Sequence, residues 1–422
     1  MYKKRVLDNG LSIIGYQIKN SQTTTLLVLV GVGSRYESEK ERGLSHFLEH
    51  MMFKGTKKRP SAKIVATELD ALGASYNAFT GYEYTGYWVK VRNTQKNIAL
   101  DVISDIFQNS LLAEKDILVE RGAIVEELNM YLDLPMRSIH DKFQTLLYGD
   151  TPLGREIIGT KDHIMNFRKP DFDQYFNQKY VAGNTYIVVA GDVNSQTLDL
   201  VEEKFKNIRV NQVPERESIK EIQDSAKVFI DYKKTDQCHI MYGFRTVDVH
   251  SEEKYKAYLI STILGGYMSS RLFTEIREKR GLAYYVRASS DHFDDAGYLA
   301  VNAGIRNDKV LEAVKIISKE FAKIKLTGIT EKELKIAKEN IKAHMVMGLE
   351  SSDNIAEAVA MHELQLKEPF DVEKELAEFD KIKKQDIQDF MNKYCLEDKL
   401  NLALIGNFKQ KDQENFLKLM KV

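Results

Sequence analysis

The sequence predicts an α+β protein of two duplicated domains, each with a mostly antiparallel or mixed sheet covered by helices on one side. The chain has 422 residues, which is long enough for two domains that each bury a core. Residues 73–78 and 85–89 resemble residues 281–286 and 296–300 at an offset of 208 to 211 residues, which indicates a duplication. Strand-like and helix-like stretches alternate in both halves, as is typical of mixed folds.

Each half ends on an apolar strand that is closed by a glycine, Gly191 in the first half and Gly406 in the second. A polar, proline-containing segment lies near the midpoint of the chain, and such segments are typical of linkers. We therefore predict a first domain over residues 1–212, a linker over 213–220 and a second domain over 221–422.

The predicted elements follow the chain in order. Residues 23–34 are apolar and β-branched, which indicates a buried strand. Residues 61–73 carry apolar side chains at helical spacing and end in glycine, so they predict a helix. Residues 78–91 are aromatic and threonine-rich with a period of two, which favours a strand or hairpin. Two long stretches, 94–145 and 306–365, are mostly helical in pattern.

Composition excludes several classes of protein. The 61 basic and 62 acidic residues give a net charge of −1, which removes the electrostatic argument for nucleic acid or a membrane as partner. Two cysteines, Cys238 and Cys395, cannot form a disulfide framework. The N-terminal stretch lacks the apolar core of a secretory signal, and no apolar run is long enough to span a bilayer. We expect a cytoplasmic protein.

One short motif contains candidate metal-binding and catalytic residues. His46, Glu49 and His50 lie in the segment GLSHFLEHMMFKGT, which predicts a helix of about three turns. Residues four apart are ~40° apart around a helix, so both imidazoles can reach one metal ion while Glu49 can hold a water beside them. A catalytic zinc ion also needs a third protein ligand. The alternative interpretation is two surface or half-buried histidines near a chance glutamate.

A basic cluster follows this helix and has a simpler interpretation. Its members are Lys54, Lys57, Lys58 and Arg59. Runs of like charge are usually solvated, so we expect an exposed loop here.

The order His-Phe-Leu-Glu-His is the H-x-x-E-H arrangement, the reverse of H-E-x-x-H. With it the chain resembles the pitrilysin-type zinc metallopeptidases, most closely the two-domain members similar to the mitochondrial processing peptidase. In that family the third ligand is a glutamate that follows the second histidine after 76 residues, and here that position is Glu127. The resemblance implies one zinc ion per chain, held by His46, His50 and Glu127. A second family glutamate corresponds to Glu120, which is expected to accept a hydrogen bond from a ligand histidine or to add charge nearby.

Residues 77–85, NAFTGYEYT, resemble the family's N-A-x-T-x-x-x-T strand. The resemblance implies that Asn77 and Ala78 lie beside the zinc and pair with the substrate backbone. Without the resemblance, the stretch is equally well an ordinary aromatic core strand.

The second half contains SSRLFTEIREKRGLAYYV, which resembles the segment that supplies an arginine and a tyrosine to the substrate. Arg277 and Tyr284 have the family spacing of seven positions. Arg280 and Tyr285 are the alternatives if the register differs by a residue. The arginine is otherwise part of a solvated helix end, and the tyrosine part of a core.

The resemblance implies a zinc endopeptidase that cleaves peptides or unfolded, presequence-like segments, with Glu49 as general base and with Arg277 and Tyr284 orienting the substrate carbonyl. In larger one-chain relatives four such domains enclose a chamber, so a two-domain chain is half of a clamshell. We therefore expect a homodimer in which Arg277 and Tyr284 act in trans. The alternatives are a non-catalytic partner subunit of the same fold and a metal-binding protein that captures peptides without cleaving them.

Overall fold

The computed structural model describes residues 2–220 and 223–422, which pack into two compact units. The first unit consists of Met1–Asn129, Glu156–Glu217 and Met347–Phe370. The second unit consists of Met130–Arg155, Ser218–Val346 and Asp371–Val422. Each unit therefore contains one segment from the opposite half of the sequence. The predicted domain limits stay a prediction.

Eleven strands and fifteen α-helices are formed by the described residues. The strands are β1 (Tyr2–Val6), β2 (Ser12–Gln17), β3 (Thr23–Val30), β4 (Ser75–Thr80), β5 (Thr85–Arg92), β6 (Thr185–Gly191), β7 (Lys227–Tyr232), β8 (Gln237–Thr246), β9 (Ala283–His292), β10 (Gly297–Arg306) and β11 (Asn401–Gly406). The helices are α1 (Leu44–Met51), α2 (Ala62–Ala71), α3 (Lys96–Asn109), α4 (Glu114–Asp133), α5 (Pro135–Tyr148), α6 (Lys161–Asn166), α7 (Lys169–Lys179), α8 (Ser195–Phe205), α9 (Lys254–Gly265), α10 (Val310–Thr327), α11 (Glu331–Gly348), α12 (Ser352–Leu366), α13 (Val372–Lys381), α14 (Lys384–Tyr394) and α15 (Gln413–Leu419).

Five strands of the first sheet have the same order and directions as the five strands of the second, and β1 is an additional edge strand of the first; the shared order confirms the predicted duplication. The order of the first sheet is β1-β2-β6-β3-β5-β4, and the order of the second is β7-β11-β8-β10-β9. In each sheet one pair is parallel, β2 with β6 and β7 with β11, while the other neighbours are antiparallel. Strands β4 and β9 are the corresponding edge strands, so each leaves one side free for pairing.

Helices cover both faces of the first sheet, which corrects the expectation of helices on one side. On one face, Leu27 and Val188 pack against Val359 of α12. On the opposite face, Tyr87 of β5 packs against Phe107 of α3 with ring centroids 6.1 Å apart. The helix on the first face, α12, comes from the second half of the chain, so local sequence periodicity did not reveal that it packs there.

The second sheet is covered in the same way. Phe143 of α5 packs on Tyr298 of β10 at 5.6 Å, and Phe321 of α10 packs on Tyr242 of β8 at 5.5 Å. The two sheet residues lie on opposite faces, because side chains alternate along paired strands. Helix α5 therefore covers one face of the second sheet, just as α12 covers one face of the first.

Local sequence explains where the helices near the site begin and end. Helix α1 has eight residues, shorter than the three turns predicted, and it begins after Gly43, whose φ of 90° suits glycine. Helix α4 ends at Asp133 and α5 begins at Pro135, because proline disfavours helical backbone in the residue before it. Among the described residues, no helix has the length and apolar character needed to cross a membrane.

Candidate metal and catalytic site

Helix α1 is held in place by its apolar face. Leu44, Phe47, Leu48 and Met51 are at most 1% exposed. Because these residues anchor one side of the helix in the core, the side chains of the His-x-x-Glu-His motif are held on another side.

The N-terminal end of α1 is capped by a residue that the sequence analysis missed. The buried Glu37 carboxylate accepts hydrogen bonds from the backbone N–H of Gly43 at 2.8 Å and of Ser45 at 2.7 Å. Burial raises the pKa of Glu37 to about 7, although these hydrogen bonds oppose the shift. An acidic residue shortly before a helix is favourable near the positive end of the helix dipole, and that was the available signal.

Three side chains converge in the first unit. His46 Nε2 lies 3.7 Å from Glu127 Oε2, and His50 Nε2 lies 3.4 Å from the same oxygen. The histidines lie on α1 and the glutamate lies on α4. In the sequence, 76 residues separate His50 from Glu127. The potential ligand atoms all lie within 4.8 Å of one another.

A second glutamate of α4 orients one of the imidazoles. Glu120 Oε1 lies 3.0 Å from His50 Nδ1, and Lys54 forms an ion pair with the same carboxylate. The contact directs the other nitrogen of the His50 ring toward Glu127, as carboxylates that hydrogen-bond to ligand histidines do in metal sites. Nδ1 of His46 is buried and has no hydrogen-bond partner among residues 2–220 and 223–422.

The two imidazoles have opposite pKa shifts. Burial lowers the pKa of His46 to about 4, and the neighbouring His50 adds to the effect. Burial also disfavours the charged form of His50, but hydrogen bonds to Glu120 and Glu127 outweigh it and raise the pKa of His50 to about 9. In the metal-free protein, burial therefore favours the neutral form of His46, and the neighbouring carboxylates favour the charged form of His50.

The donor set fits a zinc ion. Two imidazole nitrogens and one carboxylate oxygen leave a fourth position open, as in catalytic zinc sites. Ligand bonds of ~2.0 to 2.1 Å in a tetrahedral arrangement place ligand atoms about 3.3 Å apart. The observed separations of 3.4 and 3.7 Å from Glu127 to His50 and His46 are close to this spacing. Among the described residues, this is the only set of three potential ligands that is close enough to hold a metal ion.

Glu49 lies beside this set and is held by strand β4. Thr80 Oγ1, at the end of β4, donates a hydrogen bond to Glu49 Oε2 at 2.5 Å. Burial raises the pKa of Glu49, while the bond from Thr80 opposes the shift. Because Thr80 fixes one oxygen, the other carboxylate oxygen is left for a different partner. Thr80 belongs to the N-A-x-T stretch of the sequence but had been given no role.

Asn77 and Ala78 lie on β4 and point to opposite faces. Ala78 pairs with Tyr87 in register, on the face of β4 that Thr80 shares. Asn77 pairs with Trp88, on the opposite face that α12 covers. Ala78 therefore lies on the face of β4 that carries Thr80, and Asn77 lies on the face toward α12.

Arg277 and Tyr284 lie in the second unit. Arg277 is in a short π-helical segment, Phe273–Glu278, and its guanidinium lies over the rings of Phe273 at 4.8 Å and Tyr284 at 5.6 Å. Tyr284 is 75% exposed on edge strand β9. No carboxylate of the described residues pairs with this arginine.

The alternative pair is engaged elsewhere. Arg280 forms an ion pair with Glu275 at 2.6 Å, and the Tyr285 hydroxyl lies 2.9 Å from His239 Nδ1. These contacts favour Arg277 and Tyr284 as the residues available to a substrate.

The prediction of a solvated basic loop is wrong for Arg59. Its side chain is 2% exposed and binds Glu68, Asp101 and Asp105 at 2.7 to 2.8 Å. Three carboxylates from two helices converge there, so an arginine between them is buried and neutralised, which a local charge run does not reveal.

Comparison with known proteins identifies the family. The model for Insulinase (Peptidase family M16) matches residues 14–161, and the model for the Peptidase M16 inactive domain matches residues 166–341. A Bacillus subtilis (strain 168) protein named uncharacterized zinc protease YmxG is 33% identical over 354 residues, which cover 84% of this chain and 86% of that protein.

Solved structures show the same fold. A protease from Helicobacter pylori has a TM-score of 0.89 at 24% identity, covering 96% of this chain and 99% of that one. The periplasmic protease PqqL from Escherichia coli has a TM-score of 0.82 at 21% identity, and the match covers 99% of this chain but 49% of that one. The resemblance inferred from the motif is confirmed, while a special closeness to the mitochondrial processing peptidase stays a prediction. The chain belongs to peptidase family M16, the insulinase type.

Proposed function

We propose that the protein is a zinc-dependent endopeptidase with His46, His50 and Glu127 as metal ligands and one zinc ion per chain. The observation that carries the proposal is the convergence of these three side chains next to Glu49, a carboxylate held by Thr80. A bound zinc ion would polarise the scissile carbonyl and lower the pKa of the attacking water.

Glu49 is the proposed general base. Its hydrogen bond from Thr80 keeps one oxygen occupied, and the raised pKa brings the carboxylate closer to the range of an effective acid–base catalyst. It takes a proton from the attacking water and delivers it to the leaving amine. Glu120 keeps the His50 ring oriented throughout.

We propose that the substrate backbone pairs with edge strand β4. Within residues 2–220 and 223–422 its only neighbouring strand is β5, so its other side can pair with an extended peptide. Main-chain pairing tolerates many sequences, which suits peptides or unfolded segments as substrates.

Arg277 and Tyr284 are proposed to bind the substrate carbonyl and the developing oxyanion. We propose that a second copy of the chain supplies them in a homodimer that encloses a chamber. The match to about half of the PqqL chain supports this idea, because two copies of this chain have the length of one such protein. The cytoplasmic location also stays a prediction.

A quenched peptide assay tests the function. Wild-type protein with zinc should cleave the peptide, and a chelator should abolish cleavage in a way that added zinc reverses. Glu49→Gln removes the base and keeps the ligands, so it should lose activity while retaining zinc. His50→Ala should lose both.

The same assay separates the alternatives. Peptide binding without cleavage by zinc-loaded wild type would favour a peptide-capturing protein or a non-catalytic subunit. Wild-type turnover by Glu49→Gln would refute the assignment of the base.

A further inference from the structure

A buried arginine, Arg35, lies in the segment between β3 and α1, within the first unit. Its side chain is fully buried and forms an ion pair at 2.6 Å with Glu83, which is also buried. Its guanidinium also donates a hydrogen bond to the carbonyl of Glu217 at 3.1 Å. Because the removal of two charges from water is offset only where the pair has good geometry, such a pair restricts the segments that carry it.

Glu83 belongs to the turn that joins β4 to β5. In this turn the N–H of Gly81 donates a hydrogen bond to the carbonyl of Tyr84 at 2.8 Å. Gly81 directly follows Thr80, the residue whose hydroxyl binds Glu49. The ion pair with Arg35 therefore holds the turn only three residues away from Thr80.

The backbone next to Arg35 lies against the same turn. The N–H of Ser34 donates a hydrogen bond to the carbonyl of Gly81 at 3.2 Å, and the N–H of Arg35 donates one to the carbonyl of Tyr82 at 2.8 Å. A Cβ atom at Gly33 would lie only 2.2 Å from the Gly81 carbonyl oxygen, so glycine is needed for this approach. Main-chain contacts and the ion pair thus hold the two segments together.

The Arg35 segment also contacts the start of α1. Glu37, two residues after Arg35, accepts the hydrogen bonds that cap α1, and α1 carries Glu49. Residues 33–37 therefore contact both the turn that follows Thr80 and the helix that carries the proposed base. Their contacts help to set the distance between the Thr80 hydroxyl and the Glu49 carboxylate.

We propose that Arg35 is a positioning residue for the general base, because its ion pair with Glu83 holds the β4–β5 turn where Thr80 can reach Glu49. The proposal rests on the proposed peptidase function, with Glu49 as the base. Hydrogen bonds between two oxygens span ~2.5 to 3.0 Å, so a shift of the turn by about 1 Å would break the Thr80–Glu49 bond. Arg35 acts through Thr80 and not on the substrate.

Glu83→Ala tests the proposal, because it removes the ion pair and leaves Thr80, Glu49 and the proposed metal ligands in the chain. We expect kcat to fall roughly tenfold, while KM and bound zinc stay unchanged. Glu83→Gln keeps the shape and one acceptor for the guanidinium, so its kcat should fall only about threefold. The glutamine variant serves alone if the alanine variant does not fold. Wild-type kcat in the folded variants would overturn the proposal.

A double-mutant cycle shows whether the effect passes through Thr80. In a Thr80→Val background the hydrogen bond to Glu49 is already absent, so Glu83→Ala should reduce kcat by less than about twofold. Independent effects of the two substitutions would multiply. A loss of kcat equal to the product of the two single losses would overturn the proposal.

Glu363→Ala is the matched control. Glu363 is a buried glutamate of α12 in the same unit, and it pairs with Lys4 of β1 at 2.6 Å, at the opposite edge of the sheet from β4. Both alanine variants should lower the unfolding temperature, but Glu363→Ala should keep the wild-type kcat. Equal losses of kcat in the two variants would show a general effect of destabilisation and would overturn the proposal.

A crystal structure of Glu83→Ala gives a readout that is independent of activity. The distance from Thr80 Oγ1 to Glu49 Oε2, 2.5 Å in the wild-type chain, should exceed about 3.2 Å. If wild type cleaves no peptide but the variant shows this displacement, the peptidase function fails and the positioning of Glu49 stands. If wild type cleaves peptides and the variant keeps the Thr80–Glu49 bond, the function stands and the role of Arg35 is overturned.

Discussion

Two glutamates flank the imidazole pair and have different surroundings. Glu49 accepts a hydrogen bond from the neutral hydroxyl of Thr80, and burial raises the pKa of Glu49. Glu120 meets His50 and Lys54, whose hydrogen bonds and charges outweigh burial and lower its pKa. The first carboxylate is therefore suited to proton transfer and the second to a permanent negative charge that holds a ligand ring.

Thr80 is expected to position the base. Thr80→Val keeps the shape of the side chain and removes the hydroxyl that holds Glu49 Oε2, so kcat should fall roughly tenfold or more while KM and bound zinc stay unchanged. Steady-state kinetics and zinc analysis measure both. Thr80→Ser retains the hydroxyl and should restore most of kcat. Wild-type kcat in the valine variant would show that the hydrogen bond has no catalytic role.

Zinc binding is expected to release one proton from His50. With a pKa of about 9 in the metal-free protein, His50 is protonated at pH 7 and must lose its proton to become a ligand. His46, with a pKa of about 4, is already neutral. Affinity should therefore rise about tenfold per pH unit from pH 6 to 8 and level off above pH 9. Calorimetry in two buffers of different ionisation enthalpy counts the protons, and a count of zero would contradict the assignment.

At the scale of elements, the site depends on how α1, α4 and β4 are held relative to one another. Helix α1 carries His46, Glu49 and His50, α4 carries Glu127 and Glu120, and β4 supplies Thr80. Glu37 fixes the start of α1 through two backbone hydrogen bonds. A small shift of any of these three elements would separate the ligands.

Loss of the α1 cap should weaken both the fold and the metal site. Glu37→Ala leaves two buried N–H groups without their acceptor, which is expected to cost about 1 to 3 kcal/mol and to lower zinc affinity. Thermal unfolding and a zinc titration measure the two effects. Glu41→Ala is the control, because Glu41 accepts an exposed hydrogen bond from the backbone N–H of Ser38, so its loss should change stability less. Equal effects of the two variants would argue against a special role for Glu37.

At the scale of the whole molecule, the duplicated topology gives each unit one edge strand beside functional residues. In the first unit that strand is β4, next to the proposed metal ligands, and in the second it is β9, which carries Tyr284. In the proposed homodimer, residues beside both of these edge strands contribute to one site.

A mixture of inactive variants tests whether the site is completed in trans. Glu49→Gln and Tyr284→Phe should each be inactive alone. If Tyr284 acts on the partner's zinc site, a mixed dimer has one site with both residues intact and should have about half of the wild-type activity, so a fully exchanged equimolar mixture, in which about half of the dimers are mixed, should return to about a quarter of the wild-type value. If both residues act within one chain, the mixture should stay as inactive as its parents. Each variant mixed with itself is the control for subunit exchange.

Sequence alone was sufficient for the duplication and for the three side chains that converge in the first unit, His46, His50 and Glu127. These features depend on short-range sequence patterns or on a fixed spacing, such as the 76 residues between His50 and Glu127. The stretch 94–145, predicted to be mostly helical, contains α3, α4 and α5, and Pro135 accounts for the break between the last two.

Tertiary structure decided what depends on contacts between distant segments. It placed Arg59 among three carboxylates, Thr80 against Glu49, and Glu37 at the start of α1. It also placed α12, from the second half of the chain, on the first sheet. Burial and partner choice set the charge state of such side chains, and neither is encoded in local periodicity.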